Sequence, residues 1–216
     1  MTAIQFFQAG GIVAWPLLGF SIAAIALIIE RLFFWFRIHR RQDRVLRDVL
    51  KLYPQKPPAA LHLLRQNVDL PLCRIFLEAL ELNHSTPEKF RLALESAAQA
   101  EIRTLKRFST AFETIVSISP LLGLLGTVLG LMAAFSSLRL GDVAATKSVG
   151  VTSGISEALI STVMGLVVAI STLMFANTFR SFYRRQLAMI QEYGGQLELL
   201  YLHQYEQGEH NYASTR

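Results

Sequence analysis

The sequence predicts an all-α membrane protein with three transmembrane helices, and three observations carry that prediction. First, a span needs roughly 20 consecutive apolar residues, and the stretches at about 12–36, 115–138 and 149–176 each supply them. Second, the chain is 52% hydrophobic but only 17% charged, with a mean hydropathy of +0.36. That balance is too apolar for an ordinary soluble domain. Third, the charges are segregated: the first stretch has none before Glu30, and Glu157 alone interrupts the third.

Taken in order, residues 1–36 form an outer N-terminus and the first transmembrane helix. The N-terminus lacks the basic region of a secretory signal, and its apolar stretch is too long for one, so this helix is expected to remain in the mature protein. A cytoplasmic helical segment follows over 37–112. Helix one continues through Arg47 and Leu50 and stops before Pro54 and the Pro57-Pro58 pair. The stretch 59–82 reads as one or two short amphipathic helices around Pro71. Thr86-Pro87-Glu88 is a helix start: a capping hydroxyl, a proline at the first helical position and an acid in the first turn. From Pro87 to about Leu138 only Pro120 interrupts the helical pattern, giving a helix of roughly 75 Å. The second span is its 113–138 portion, and 139–148 form a short outer loop. The third span covers 149–177 and continues as a C-terminal helix over 178–207, weakened at Gly194-Gly195. Residues 208–216, without an apolar face, read as a disordered tail. The two long cytoplasmic extensions are half apolar, and packing among several copies would bury them.

Orientation follows from lysine and arginine, which stay cytoplasmic near helix ends. Arg37, Arg40, Arg41, Arg44 and Arg47 follow helix one; Arg103, Lys106 and Arg107 precede helix two; Arg180, Arg184 and Arg185 follow helix three. All lie on one side if the N-terminus is periplasmic and the C-terminus cytoplasmic. These eleven residues make up about half of the 21 Lys and Arg behind the net charge of +5. They act as topology anchors and contacts for anionic lipid rather than as a nucleic-acid footprint.

No Walker A run, HExxH or CxxC is present. His39, His62, His84, His203 and His210 lack metal-ligand spacing, and Ser, His and Asp nowhere group into a nucleophilic site. The expectation is therefore no enzyme, no metal and no cofactor. Cys73 is the single cysteine, which precludes an intrachain disulfide and fits a small buried apolar residue on the cytoplasmic side.

What the spans carry is polar and small. Helix two has Ser119, Gly123, Gly126, Thr127, Gly130, Ala133 and Ala134; helix three has Gly154, Ala158, Ser161, Thr162, Gly165 and Ala169. The glycines read chiefly as close helix packing, with Gly126 and Gly130 in a GxxxG spacing. Thr127 either bonds back to the preceding turn or has a functional role. Glu157 has two readings as well. It is an interfacial carboxylate favoured by the helix dipole, or a group on a proton or ion pathway, the default for an ionisable residue in a span. Glu157 and Ser161 share a face. Thr162 stands about 140° round the helix from Glu157, so one of the two lines a lumen while the other faces a neighbouring helix.

Two runs carry a resemblance. Ser119-Pro-Leu-Leu-Gly-Leu-Leu-Gly-Thr-Val-Leu-Gly130 resembles the second-helix signature of the ExbB/TolQ/MotA proton-channel proteins, and Gly154-Ile-Ser-Glu-Ala-Leu-Ile-Ser-Thr-Val-Met-Gly-Leu166 resembles their third. Helix one, with Gly10-Gly11, Trp15-Pro16-Leu17-Leu18 and Ile29-Glu30-Arg31, is similar to the start of ExbB. Three spans suit ExbB and TolQ; MotA-like stators have four. The resemblance implies a homopentameric ring in the bacterial inner membrane, around a pore that holds a dimer of a single-span, ExbD-like partner. That partner supplies a membrane aspartate, and the proton-motive force drives motion that passes to a TonB-like protein. It also implies that Thr127, Glu157 and Thr162 face the pore. Ser171 departs from a common family proline, whereas Asn177 matches a family asparagine. A TolQ-type subunit of an envelope-maintenance complex and a passive membrane scaffold are the alternatives. A substrate transporter would need inverted repeats and broken helices, which are missing here.

Overall fold

The computed structural model describes residues 7, 10–82, 86–137 and 144–214, with the side chains of the last helix described over 150–207. The described chain is all-helical, in the order α1 (Ala14–Leu52), α2 (Pro57–Gln66), α3 (Pro71–Leu80), α4 (Pro87–Leu105), α5 (Ser109–Ser136) and α6 (Ala144–Ser214). Three stretches are long and apolar enough to cross a membrane: Ala14–Leu52, Pro87–Ser136 and Gly150–Gln207. Of the outer loop expected at 139–148, residues 139–143 lie outside the described residues, and 144–148 are not loop but the start of α6. The backbone of α6 is helical to Ser214, past Gln207, where the sequence places the start of a tail.

The proline punctuation works as read. α1 ends two residues before Pro54, and α2, α3 and α4 each carry proline in the first turn. The Lys89 backbone N–H donates to the Thr86 hydroxyl at 3.4 Å, the cap that the Thr-Pro-Glu signal calls for. Gly194 and Gly195 do not break α6; an added Cβ at Gly194 would meet only Leu94, at 3.6 Å, and one at Gly195 would meet nothing.

One expectation fails. The helix read as continuous from Pro87 to about Leu138 is interrupted at 106–108, where Phe108 takes a left-handed conformation with φ +67°. No glycine or proline marks the break. A bulky residue in that region costs roughly 1–2 kcal/mol, so tertiary contact must hold it there. The Arg31 guanidinium lies 5.2 Å from the centroid of the Phe108 ring, and Arg31 itself is only 3% exposed, with its Nε 3.4 Å from Glu30 Oε2.

The chain divides into two compact units. One comprises 1–31 and 108–178 and holds the apolar portions of α1, α5 and α6. Its outer surface is apolar: Ile22, Ile25, Leu121, Met132, Val167 and Ile170 are all exposed, as hydrocarbon-facing side chains should be.

The other unit comprises 32–107 and 179–216. Here Leu64, Leu70, Leu72, Ile75, Phe76 and Phe90 are buried, and Phe90 stacks on Tyr201 with centroids 4.1 Å apart. Several of its polar groups are paired. Gln42 and Gln186 exchange two amide hydrogen bonds of 3.0 and 3.1 Å in a buried setting. Arg41 donates to Asp69 and Asn67. Arg74 donates to both Glu101 oxygens and to the Val68 carbonyl. Cys73 is fully buried, and burial, with Asp69 nearby, pushes its thiol up to about 12. Burial likewise raises the Tyr53 phenol to about 12.

Candidate functional site

The candidate site lies in the apolar unit, where α5 and α6 meet along a seam of small residues. Contact there is backbone to backbone. A Cβ added at Gly130 would stand 2.7 Å from the Gly154 carbonyl oxygen and the Ala158 nitrogen. One added at Gly154 would stand 2.7 Å from the Gly130 carbonyl oxygen and the Ala134 nitrogen. At Gly165 it would come within 2.5 Å of the Ser119 carbonyl oxygen and 3.0 Å of the Gly123 Cα. The glycines therefore set how close the two helices come, which is what lets side-chain hydroxyls of one reach main-chain carbonyls of the other.

Two hydroxyls of α6 use that proximity. Thr162 Oγ1 donates toward the Gly123 carbonyl at 3.2 Å and toward its own Ala158 carbonyl at 3.3 Å. Ser161 Oγ lies 2.9 Å from the Ala158 carbonyl and 3.4 Å from that of Gly123. Ser161 is fully buried, wedged against Gly126, whose added Cβ would stand 2.3 Å from the serine oxygen. The same Cβ would lie 3.6 Å from Val13, in the turn just before α1, so the start of α1 and both other helices converge on Gly126. From sequence Ser161 reads only as a small residue on the Glu157 face, whereas the structure puts it at the centre of the packing.

Thr127, four residues after Gly123, sits half-buried on the flank of the seam, and its hydroxyl donates to the Leu124 carbonyl. That is the back-bond weighed from sequence. Among the described residues, no hydrogen bond joins Thr127 to Thr162 or to Glu157.

Glu157 is half-buried and projects toward the start of α1 instead of the Gly123 region. Its Oε1 lies 1.7 Å from where a Cβ on Gly11 would stand, so the carboxylate rests on bare glycine backbone. Gly11 has φ +66°. The helix-dipole reading of Glu157 loses its basis, because α6 begins at Ala144. That places the carboxylate roughly 20 Å along the axis, and the macrodipole acts only within about the first turn. Sequence reasoning gave Gly11 no part in the site. The contact is between residues almost 150 apart and has no local signature.

The other expected groups resolve simply. Glu30 contacts Arg31, and Asn177 is exposed. Among the described residues, no group of three or more His, Cys, Asp or Glu side chains is placed to hold a metal ion.

Residues 67–192 match the MotA/TolQ/ExbB proton channel family. A putative biopolymer transport protein, ExbB-like 3, of Synechocystis sp. is 63% identical over 210 residues, covering 97% of this chain and 100% of the relative. A second from the same organism, ExbB-like 1, is 38% identical over 196 residues, covering 90% of this chain and 77% of the relative. The Tol-Pal system protein TolQ of Haemophilus influenzae is 37% identical over 123 residues, covering 55% of this chain and 52% of that protein.

Proposed function

We propose that this chain, which belongs to the MotA/TolQ/ExbB proton channel family, is the ring-forming subunit of a motor driven by the proton-motive force. It works in a TonB-ExbB-ExbD-type complex of a bacterial inner membrane and energises transport across the outer membrane. Its N-terminus is periplasmic and its C-terminus cytoplasmic, as the basic clusters argue. Copies of the chain, five by resemblance, surround a single-span partner whose membrane aspartate completes the route. The observation that carries this reading is Glu157: a carboxylate held half-buried inside the apolar unit, deep in a helix, beside a seam of hydroxyls and glycines. An acid so placed is costly, and such groups mark ion or proton pathways. The driving force is adequate at about 2.3 kcal/mol per charge per 100 mV.

In this reading Glu157 exchanges the proton, while Thr127 and Thr162 line the route and orient what passes. Gly123, Gly126, Gly130, Gly154 and Gly165 hold α5 and α6 together. The similarity to TolQ supports a second reading, a TolQ-type subunit with the same chemistry and different partners. A passive scaffold is the remaining alternative.

The test is proton entry into vesicles that hold the complex with its co-purified partners, followed with an internal pH-sensitive dye. Glu157→Gln should abolish entry while the complex keeps its native mass. Full proton entry through that variant would overturn the pathway role and leave the scaffold. Identification of the co-purified single-span protein separates an ExbB-type from a TolQ-type assembly.

A further inference from the structure

We propose that Gly11 is a positioning residue for the Glu157 carboxylate, and that the turn opening α1 is the wall against which this group is held. The inference rests on the reading of Glu157 as the proton-exchanging group. Three atoms of the glutamate side chain occupy the volume that any side chain at position 11 would take. Oε1, Cδ and Cγ lie 1.7, 2.6 and 3.1 Å from the missing Cβ. A side chain at position 11 would have to push the end of Glu157 out of this place, and the φ of +66° itself favours glycine there.

The turn is itself tied down. The Ala14 N–H donates to the Gly11 carbonyl at 3.2 Å, and the Gly10 N–H donates to the Phe7 carbonyl at 3.1 Å. Gly10 makes a second close contact with α6, its missing Cβ lying 2.9 Å from Met164 Sδ. Glu157 and Met164 are seven residues apart, two helical turns on one face. α6 is thus clasped by two adjacent glycines at two levels. This restricts the carboxylate to one side of α6 and leaves its free face for the incoming proton carrier. Misplacing a reacting group by about 1 Å can cost on the order of 100-fold in rate, so the wall matters even though it contributes no chemistry.

The experiment uses the whole complex with its partners. Gly11→Ala should lower proton entry into vesicles by about tenfold or more and shift the 13C signal of the Glu157 carboxyl carbon. Gly19→Ala, at a glycine with nothing within 4 Å, should do neither. In a Glu157→Ala background, which removes the Cγ, Cδ and Oε1 that meet position 11, adding Gly11→Ala should leave assembly of the complex intact. If Gly11→Ala alone fails to assemble but the double variant assembles, the clash is still located between these two residues. Failure of the double variant to assemble, or an unmoved carboxyl signal in Gly11→Ala, would overturn the proposal. If Glu157→Gln conducts fully while the carboxyl signal still moves, the positioning stands and the pathway reading falls.

Discussion

Gly165→Ala adds one methyl group where α5 and α6 run closest, and its cost can be worked from the seam. The new Cβ would stand 2.5 Å from the Ser119 carbonyl oxygen, with the Gly123 nitrogen and Cα at 3.1 and 3.0 Å. All three are main-chain atoms, so no side chain can swing aside. Ordinary contact begins near 3.4 Å, and the helices must separate by about 1 Å. A gap of that size forfeits a quarter to a half of each dispersion contact along the seam. It also breaks the 3.2 and 3.4 Å approaches of Thr162 and Ser161 to the Gly123 carbonyl, each worth about 0.6 kcal/mol in a membrane protein. With typical overpacking costs of 1–3 kcal/mol, the loss should come to about 2–3 kcal/mol. Reversible unfolding in mixed micelles measures it. Gly19→Ala is the internal control: it has open space in the second turn of α1 and should be neutral or stabilising by about 0.5–1 kcal/mol. Equal stability of the two variants would refute the claim that glycine at 165 is there for close approach.

Other outcomes follow from the same contacts. Gln42→Leu should destabilise by about 1–3 kcal/mol, because it strands the buried Gln186 amide, whereas Gln42→Leu/Gln186→Leu should recover most of that loss; chemical denaturation of both variants checks this. Cys73 should resist alkylation at pH 8, since a thiol raised from 9.0 to about 12 holds on the order of a thousandfold less thiolate than an ordinary one. Because the unfolded chain gives up that proton more easily, stability should also fall as pH rises between 9 and about 12, which maleimide labelling and pH-dependent unfolding would measure. Phe108→Gly should be less destabilising than Phe108→Ala by about 1 kcal/mol. Both lose the ring facing Arg31, but only glycine relieves the φ of +67°; thermal unfolding of the pair decides it.

Much of this architecture was legible in the sequence, and the parts that were not share a cause. Prolines and capping residues speak locally, so Pro54, Pro57, Pro71 and the Thr86 cap place their helix boundaries correctly. The apolar stretches and the small-residue stripe are periodic signals, and they mark the three long helices and the faces that meet. The break before α5 left no such mark. Lys106-Arg107-Phe108 has ordinary helical propensity, and what stabilises the left-handed Phe108 includes Arg31, distant in sequence. Glu157 was found because a carboxylate in an apolar run stands out, but the surface it rests on was not. Glycine at position 11 looks like any turn glycine until the fold brings residue 157 beside it.

The hydroxyls constrain how a proton could use this site. A threonine oxygen has one hydrogen to donate and two lone pairs to accept with. Thr127 spends its hydrogen on the Leu124 carbonyl, and Thr162 spends its own on the carbonyls of Ala158 and Gly123. Both are then left as acceptors, able to hold a water or the donor group of a partner but not to pass a proton on without first breaking a bond to the backbone. Glu157 is different in kind. Among the described residues no hydrogen bond engages its carboxylate, which rests on the backbone of Gly11, and it can gain or lose a proton without disturbing a helix. Among the described residues, the other acids of the apolar unit, Glu30 and Glu113, lie near the ends of its helical stretches, and Glu30 is already beside Arg31. The division of labour in the proposed pathway therefore follows from hydrogen-bond supply: one carboxylate takes up and releases the proton, and two threonines, anchored by their own hydrogens, present lone pairs that orient whatever delivers it.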